Sequence, residues 1–176
     1  GVGVYLSGSS NDIAKLDTST PILDYTAGSN GGNGIIGLLL KGNTDISTYT
    51  KGIIVGDTVL IDNTIPNDKA KYAIGIYSDN QGTQANPYVI STNIKTGSNG
   101  VGIFADNNSI LEYTGKLEVG NGTTAGTGIF INKGTNIVKL NGATIELKGS
   151  GGVVAIVSEG GTFYGGNSTI NLQGSG

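Results

Sequence analysis

The sequence predicts an all-β chain wound into a right-handed parallel β-helix, and three observations carry that prediction. A phrase built around glycine recurs six times: Val2-Gly3-Val4-Tyr5, Ile36-Gly37-Leu38-Leu39, Ile74-Gly75-Ile76-Tyr77, Val101-Gly102-Ile103-Phe104, Thr127-Gly128-Ile129-Phe130 and, with alanine for glycine, Val154-Ala155-Ile156-Val157. Counted from the glycine, the steps are 34, 38, 27, 26 and 27 residues, a period that marks stacked units burying apolar faces on one another. Within a unit, short runs rich in Val, Ile, Thr and Tyr alternate with turns of Gly and Asn. No window sets Leu, Ala, Glu and Lys at helical spacing.

The coil from Asn99 to Gly126 shows the order of elements. Val101, Ile103 and Ala105 alternate with Gly102 and Phe104 as a first strand, ended by a turn at Asp106-Asn107-Asn108. Ile110 to Tyr113 gives a second strand, stopped at Gly115, and Lys116 to Val119 a third, stopped at Gly120-Asn121-Gly122. The next coil repeats this with Gly128 to Ile131, Ile137 to Leu140 and Thr144 to Leu147, and the last with Val153 to Val157, Thr162 to Tyr164 and Thr169 to Leu172. Three strands and three turns in about 27 residues make one rung of a parallel β-helix, and the crossover rule supplies its right hand. The rungs fall at roughly 1–33, 34–71, 72–98, 99–124, 125–150 and 151–176, a single segment of about 25–30 Å at 4.8 Å per rung. A leucine-rich repeat would need its Leu and Asn signature, and a propeller blade about 40 residues; neither pattern is present. The first two coils are longer, with candidate surface loops at Asp12 to Tyr25 and Pro66 to Lys71, and Gln81 to Pro87 lengthens a turn in the third.

Composition narrows the function. The apolar fraction of 36% falls in register with the repeat, which separates the chain from disordered Gly-rich sequence. Absence of Cys excludes disulfides and thiolate metal sites. Absence of His removes the usual base near neutral pH. All ten basic residues are Lys, so bidentate guanidinium clamps are excluded, and a net charge of −3 argues against nucleic acid and anionic membranes. No run approaches the ~20 apolar residues that span a bilayer, so no membrane insertion is expected. The chain starts inside one phrase and stops where the next should begin, and it reads as an excerpt of a longer array.

Strict alternation in the first strand puts Val2, Val4 and Leu6; Ile36, Leu38 and Leu40; Ile74 and Ile76; Val101, Ile103 and Ala105; Ile129 and Ile131; and Val154 and Ile156 inside. The outer face then carries the glycines together with Tyr5, Leu39, Tyr77, Phe104, Phe130 and Val157, a stripe that is either covered or a binding surface. Four residues past the glycine stand Ser7, Lys41, Asp79, Asp106, Asn132 and Glu159, with Asp79 and Asp106 on adjacent rungs about 5 Å apart. That spacing suits the carboxylate pair of a retaining glycosidase, although both lie in turns where Asp serves the backbone. Seven past the glycine a Ser/Thr column reads Ser10, Thr44, Ser109, Thr135 and Thr162. Gly31 to Ile36 opens like a calcium-binding nonapeptide but has Ile36 where the carboxylate belongs. No cofactor or metal site is expected, and no catalytic residue is assigned.

Phrases such as Ala73-Ile74-Gly75-Ile76-Tyr77, Asn99-Gly100-Val101-Gly102-Ile103-Phe104 and Gly142-Ala143-Thr144-Ile145-Glu146-Leu147-Lys148-Gly149 resemble the passenger repeats of large fusobacterial-type autotransporter adhesins. The resemblance implies a type V secreted passenger on a bacterial surface, anchored through an outer-membrane barrel absent from this chain. It implies binding to host-cell or bacterial surface proteins or glycans, and it carries no site residue. Two alternatives stand beside it: a polysaccharide-active β-helix enzyme using Asp79 and Asp106, and a structural module that associates laterally through the stripe.

Overall fold

The short strands pair not with their chain neighbours, as hairpins would, but with their equivalents one coil away. The computed structural model, which describes residues 1–25, 35–56 and 73–174, shows this in every coil. The first coil supplies β1 (Val2–Ser7), β2 (Ala14–Lys15) and β3 (Leu23–Tyr25); the second β4 (Ile36–Lys41), β5 (Thr44–Asp45) and β6 (Ile53–Val55). The third supplies β7 (Ile74–Asp79), β8 (Tyr88–Ile90) and β9 (Ile94–Thr96); the fourth β10 (Val101–Asp106), β11 (Ile110–Tyr113) and β12 (Lys116–Val119). The fifth supplies β13 (Thr127–Ile131), β14 (Ile137–Leu140) and β15 (Thr144–Lys148); the sixth β16 (Val153–Val157), β17 (Thr162–Tyr164) and β18 (Thr169–Gln173).

These stack into a right-handed parallel β-helix, all-β among the described residues. The first sheet runs β1-β4-β7-β10-β13-β16, the second β8-β11-β14-β17, the third β3-β6-β9-β12-β15-β18, and β2 pairs β5. Every strand pair is parallel. Leu38, Ile76, Ile103 and Ile129 of the first sheet meet Leu111 and Val138 of the second and Ile94, Leu117 and Ile145 of the third in one buried core. Each such side chain contributes about 1.5–3 kcal/mol of transfer free energy. Turns are made by residues tolerant of left-handed backbone, as at Asn107 (φ 50°) and Asn108 (φ 63°).

The first strand departs from simple alternation. The Cα pairing steps from Val101↔Ile74 to Ile103↔Ile76 and leaves the glycine out. A methyl group on Gly102 would lie 2.7 Å from Leu117 Cδ2, on the core side, and 2.6 Å from the carbonyl oxygen of Gly128 on the next rung. One on Gly75 would likewise meet Ile94 Cγ2 at 2.5 Å and the Gly102 carbonyl at 2.7 Å. The glycines therefore face inward, not outward, because the rung bends there and brings consecutive carbonyls too close for any Cβ. Of the residues before the glycine, Ile74 and Val101 stay buried as expected, at the base of a surface groove, whereas Ile36 is half-buried and Val2 exposed.

The sixth coil sits one residue out of its expected phase. Ile129 pairs with Ala155, Phe130 with Ile156 and Ile131 with Val157. Val154 thus occupies the glycine place and packs against the core, and no described strand pairs on the far side of β16 to crowd it. Ile156, not Val157, continues the outer column.

The Ser/Thr column is also redrawn. Ile110 pairs with Ile137 and Ile137 with Thr162, so Ser109 stacks on Asn136 while Thr135 Oγ1 donates to exposed Asn108 Oδ1 at 2.6 Å. The column inside the turn is Thr44, Gln81, Ser109 and Asn136, all buried. Thr44 Oγ1 donates to Gln81 Oε1 (2.7 Å), Gln81 N–H to Ser109 Oγ (3.1 Å) and Ser109 N–H to Asn136 Oδ1 (2.8 Å). Buried polar groups joined in this way cost little, since each has a partner. Ser10 is exposed and outside the column.

Candidate functional site

The outward face of the first sheet gathers most of the expected stripe. Tyr5, Leu39, Tyr77, Phe104 and Phe130 occupy one Cα-paired column, completed by Ile156. Tyr77 and Phe104 stack with ring centroids 5.0 Å apart and planes 9° from parallel, and Phe104 and Phe130 follow at 4.8 Å and 9°. The rise per rung sets both spacings. Because the rings face one another along the rod, they present their edges to solvent, with Leu39 and Ile156 flanking the stack. A sugar ring stacks on an aromatic face, and these faces are already used.

Beside the ladder runs a groove of about 630 Å³. One side is the ring column; the other is half-buried Ile36 and Thr127, with Ile74 and Val101 buried at the base. Two inward positions, a glycine and an aliphatic, separate the sides, so they stand three residues or about 10 Å apart rather than the ~7 Å of ordinary alternation. The bend at the glycine is thus what opens the groove.

At one end of each ring lies the polar column. Lys41, Asp79 and Asp106 are Cα partners in sequence. The Tyr77 hydroxyl donates to Asp106 Oδ2. Asn132 Nδ2 and the Asn107 backbone N–H each donate to Asp106 Oδ1 at 2.9 Å. Asn107 Nδ2 donates to Asp79 Oδ1 at 2.9 Å, and the Lys41 ammonium lies 3.6 Å from Asp79 Oδ2. Burial, with the Asp106 carboxylate beside it, pushes the Tyr77 phenol well above its usual range. Both carboxylates are therefore engaged as acceptors for their own chain, which knits four rungs together. Glu159 does not continue the column: Ile131 pairs with Val157, which puts Ser158 beside Asn132.

The third sheet carries a cluster that the repeat phrase does not announce. Glu118 lies 3.4 Å from Lys95 and 3.8 Å from Lys116 and touches Lys148; Glu146 lies 3.2 Å from Lys116 and 3.7 Å from Lys148. Burial pushes the Glu118 carboxyl up, but its lysines more than offset this and hold it below its usual value, while contact with Glu118 raises Lys148. The spacing Lys116-x-Glu118 followed by Glu146-x-Lys148 is the signal that could have revealed this outward charge lattice.

Among the described residues no three acidic, His or Cys side chains converge on a point that could hold a metal ion. Gly31 to Gly34 of the calcium-like phrase and the loop at Pro66 to Lys71 lie outside the described residues. The loop at Gln81 to Pro87 turns through a Thr83 N–H bond to the Asn86 carbonyl (3.0 Å) and buries Gln81. The stretch Asp12 to Tyr25 adds the small β2–β5 pairing. No known protein family, curated protein or solved structure matches this chain.

Proposed function

We propose that this chain is part of an autotransporter-type passenger, a stiff spacer on a bacterial surface whose first sheet offers an adhesive face to host or bacterial partners. The observation that carries the reading is the unbroken rung-on-rung pairing of six first-sheet strands. A solenoid of this kind holds its shape through nearest-neighbour interfaces and projects its ends apart. Lack of Cys suits export through an oxidising compartment. The ladder and groove form a continuous apolar feature on the rod's side, the kind of patch that marks interaction sites. Edge-on rings and an aliphatic groove base favour a protein partner over a glycan. Engagement of Asp79 and Asp106 by Lys41, Tyr77, Asn107 and Asn132 supports a structural use of these carboxylates over the polysaccharide-cleaving alternative.

The test is binding of the purified chain to host and bacterial cells, compared with a version carrying Ser at Tyr5, Tyr77, Phe104 and Phe130. Circular dichroism reports whether the fold persists. Loss of binding with the β signature intact is expected. Binding that is undiminished by these changes would remove the face from the proposal, and no binding by either version would leave the segment as spacer alone.

A further inference from the structure

Going beyond adhesion to other surfaces, we propose that the grooved face of the first sheet pairs with a second copy of this chain, side by side, with the same polarity and with rungs in register. The first ground is periodicity. The ladder repeats at 4.8–5.0 Å along the rod. An extended peptide presents like-facing side chains every ~6.7 Å and a helix advances ~5.4 Å per turn, so both lose register within a few contacts. A second rung-stacked rod keeps it along the whole face.

The second ground is self-complementarity. A column, Leu39-Tyr77-Phe104-Phe130-Ile156, stands beside a groove bounded on its other side by half-buried Ile36 and Thr127, with Ile74 and Val101 buried at its base. A twofold axis parallel to the rod sets the column of each copy into the groove of the other, which is the self-matching patch an isologous interface requires. A twofold across the rod would set column on column. The third ground is charge. Asp79 and Asp106 are already paired within the chain, so closing this face strands no lone carboxylate. The Lys and Glu lattice of the third sheet remains outside on each copy.

Sedimentation equilibrium of the full 176-residue chain tests this. The expected result is a reversible monomer–dimer equilibrium with no larger species. Phe104→Asp and Thr127→Lys should each weaken it by about tenfold or more, whereas Lys95→Gln on the third sheet should leave it unchanged. Thr127→Lys leaves the ring ladder intact and guards against a Phe104 variant that fails to fold. A monomer at every concentration would overturn the proposal and leave the groove to a partner of other chemistry. Association that survives both groove variants, or grows into an open series of sizes, would overturn it in favour of end-to-end pairing. No cell is present in this assay, so its outcome is separate from that of the adhesion experiment.

Discussion

Replacing Gly102 with alanine reports directly on the direction its position faces. The added methyl would lie 2.6 Å from the Gly128 carbonyl oxygen and 2.7 Å from Leu117 Cδ2. Leu117 is fully buried, so its side chain has little room to yield, and the carbonyl belongs to the backbone of the next rung. Overpacking costs typically about 1–3 kcal/mol, and a backbone contact places this case at about 3. Reduced freedom of the unfolded chain returns about 0.5–1 kcal/mol. The net is destabilisation of about 2 kcal/mol, a fall of roughly 4–8 °C in Tm for a chain of this size. An outward glycine in a strand would give the opposite sign, because alanine then gains from propensity alone. Thermal and urea denaturation of Gly102→Ala against the parent decide it: unchanged or raised stability would refute the inward-facing glycine and the bend that opens the groove.

Other expectations follow from the same geometry. Thr92 Oγ1 is buried with no hydrogen-bond partner among the described residues, so Thr92→Val should stabilise the chain by about 1 kcal/mol in urea melts, and a loss of that size would contradict it. Asp106→Ala strips the acceptor from the Tyr77 hydroxyl, the Asn132 amide and the Asn107 N–H. It should cost about 2 kcal/mol; lost turnover of a glycan with stability unchanged would point to catalysis instead. Acid should weaken the fold. The Ser47 hydroxyl and N–H hold Asp45 below its usual value, Ser19 does the same for Asp17, and the lysines around Glu118 prevail over its burial. Carboxyls depressed in the folded state stabilise it above their unfolded values near 4 and lose that contribution as pH falls through the lower folded values. Tm should therefore hold from neutrality to about pH 5 and drop below about 4; a Tm that rises on acidification would contradict the assignment.

Much of this was readable because a stacked solenoid places like residue on like. The column through Tyr5, Leu39, Tyr77, Phe104 and Phe130, and the adjacency of Asp79 and Asp106, come from counting along the repeat. What escaped has physical causes. Hydrophobicity cannot tell the direction of a glycine, so Val101-Gly102-Ile103 reads as alternation when glycine and isoleucine both face the core. Val153 to Val157 is apolar throughout, which gives period two no phase and allowed Ala155 to stand in for the glycine in place of Val154. The turn from Ile131 to Ile137 is one residue longer than that from Ala105 to Ile110, enough to move Asn136 into the buried column and Thr135 out of it. The groove depends on that same bend, so it was invisible in the residue order even though every residue of its ring wall up to Phe130 was singled out.

The most direct test of the account is a through-space NMR measurement on the isotope-labelled chain. An inward glycine beneath an outward ring ladder predicts contacts from the Gly102 α-protons to the Leu117 methyls, together with ring-to-ring contacts from Phe104 to both Tyr77 and Phe130. Contacts from the Phe104 ring to the Leu117 methyls, with Gly102 silent toward them, would show that the strand faces the other way and would contradict it.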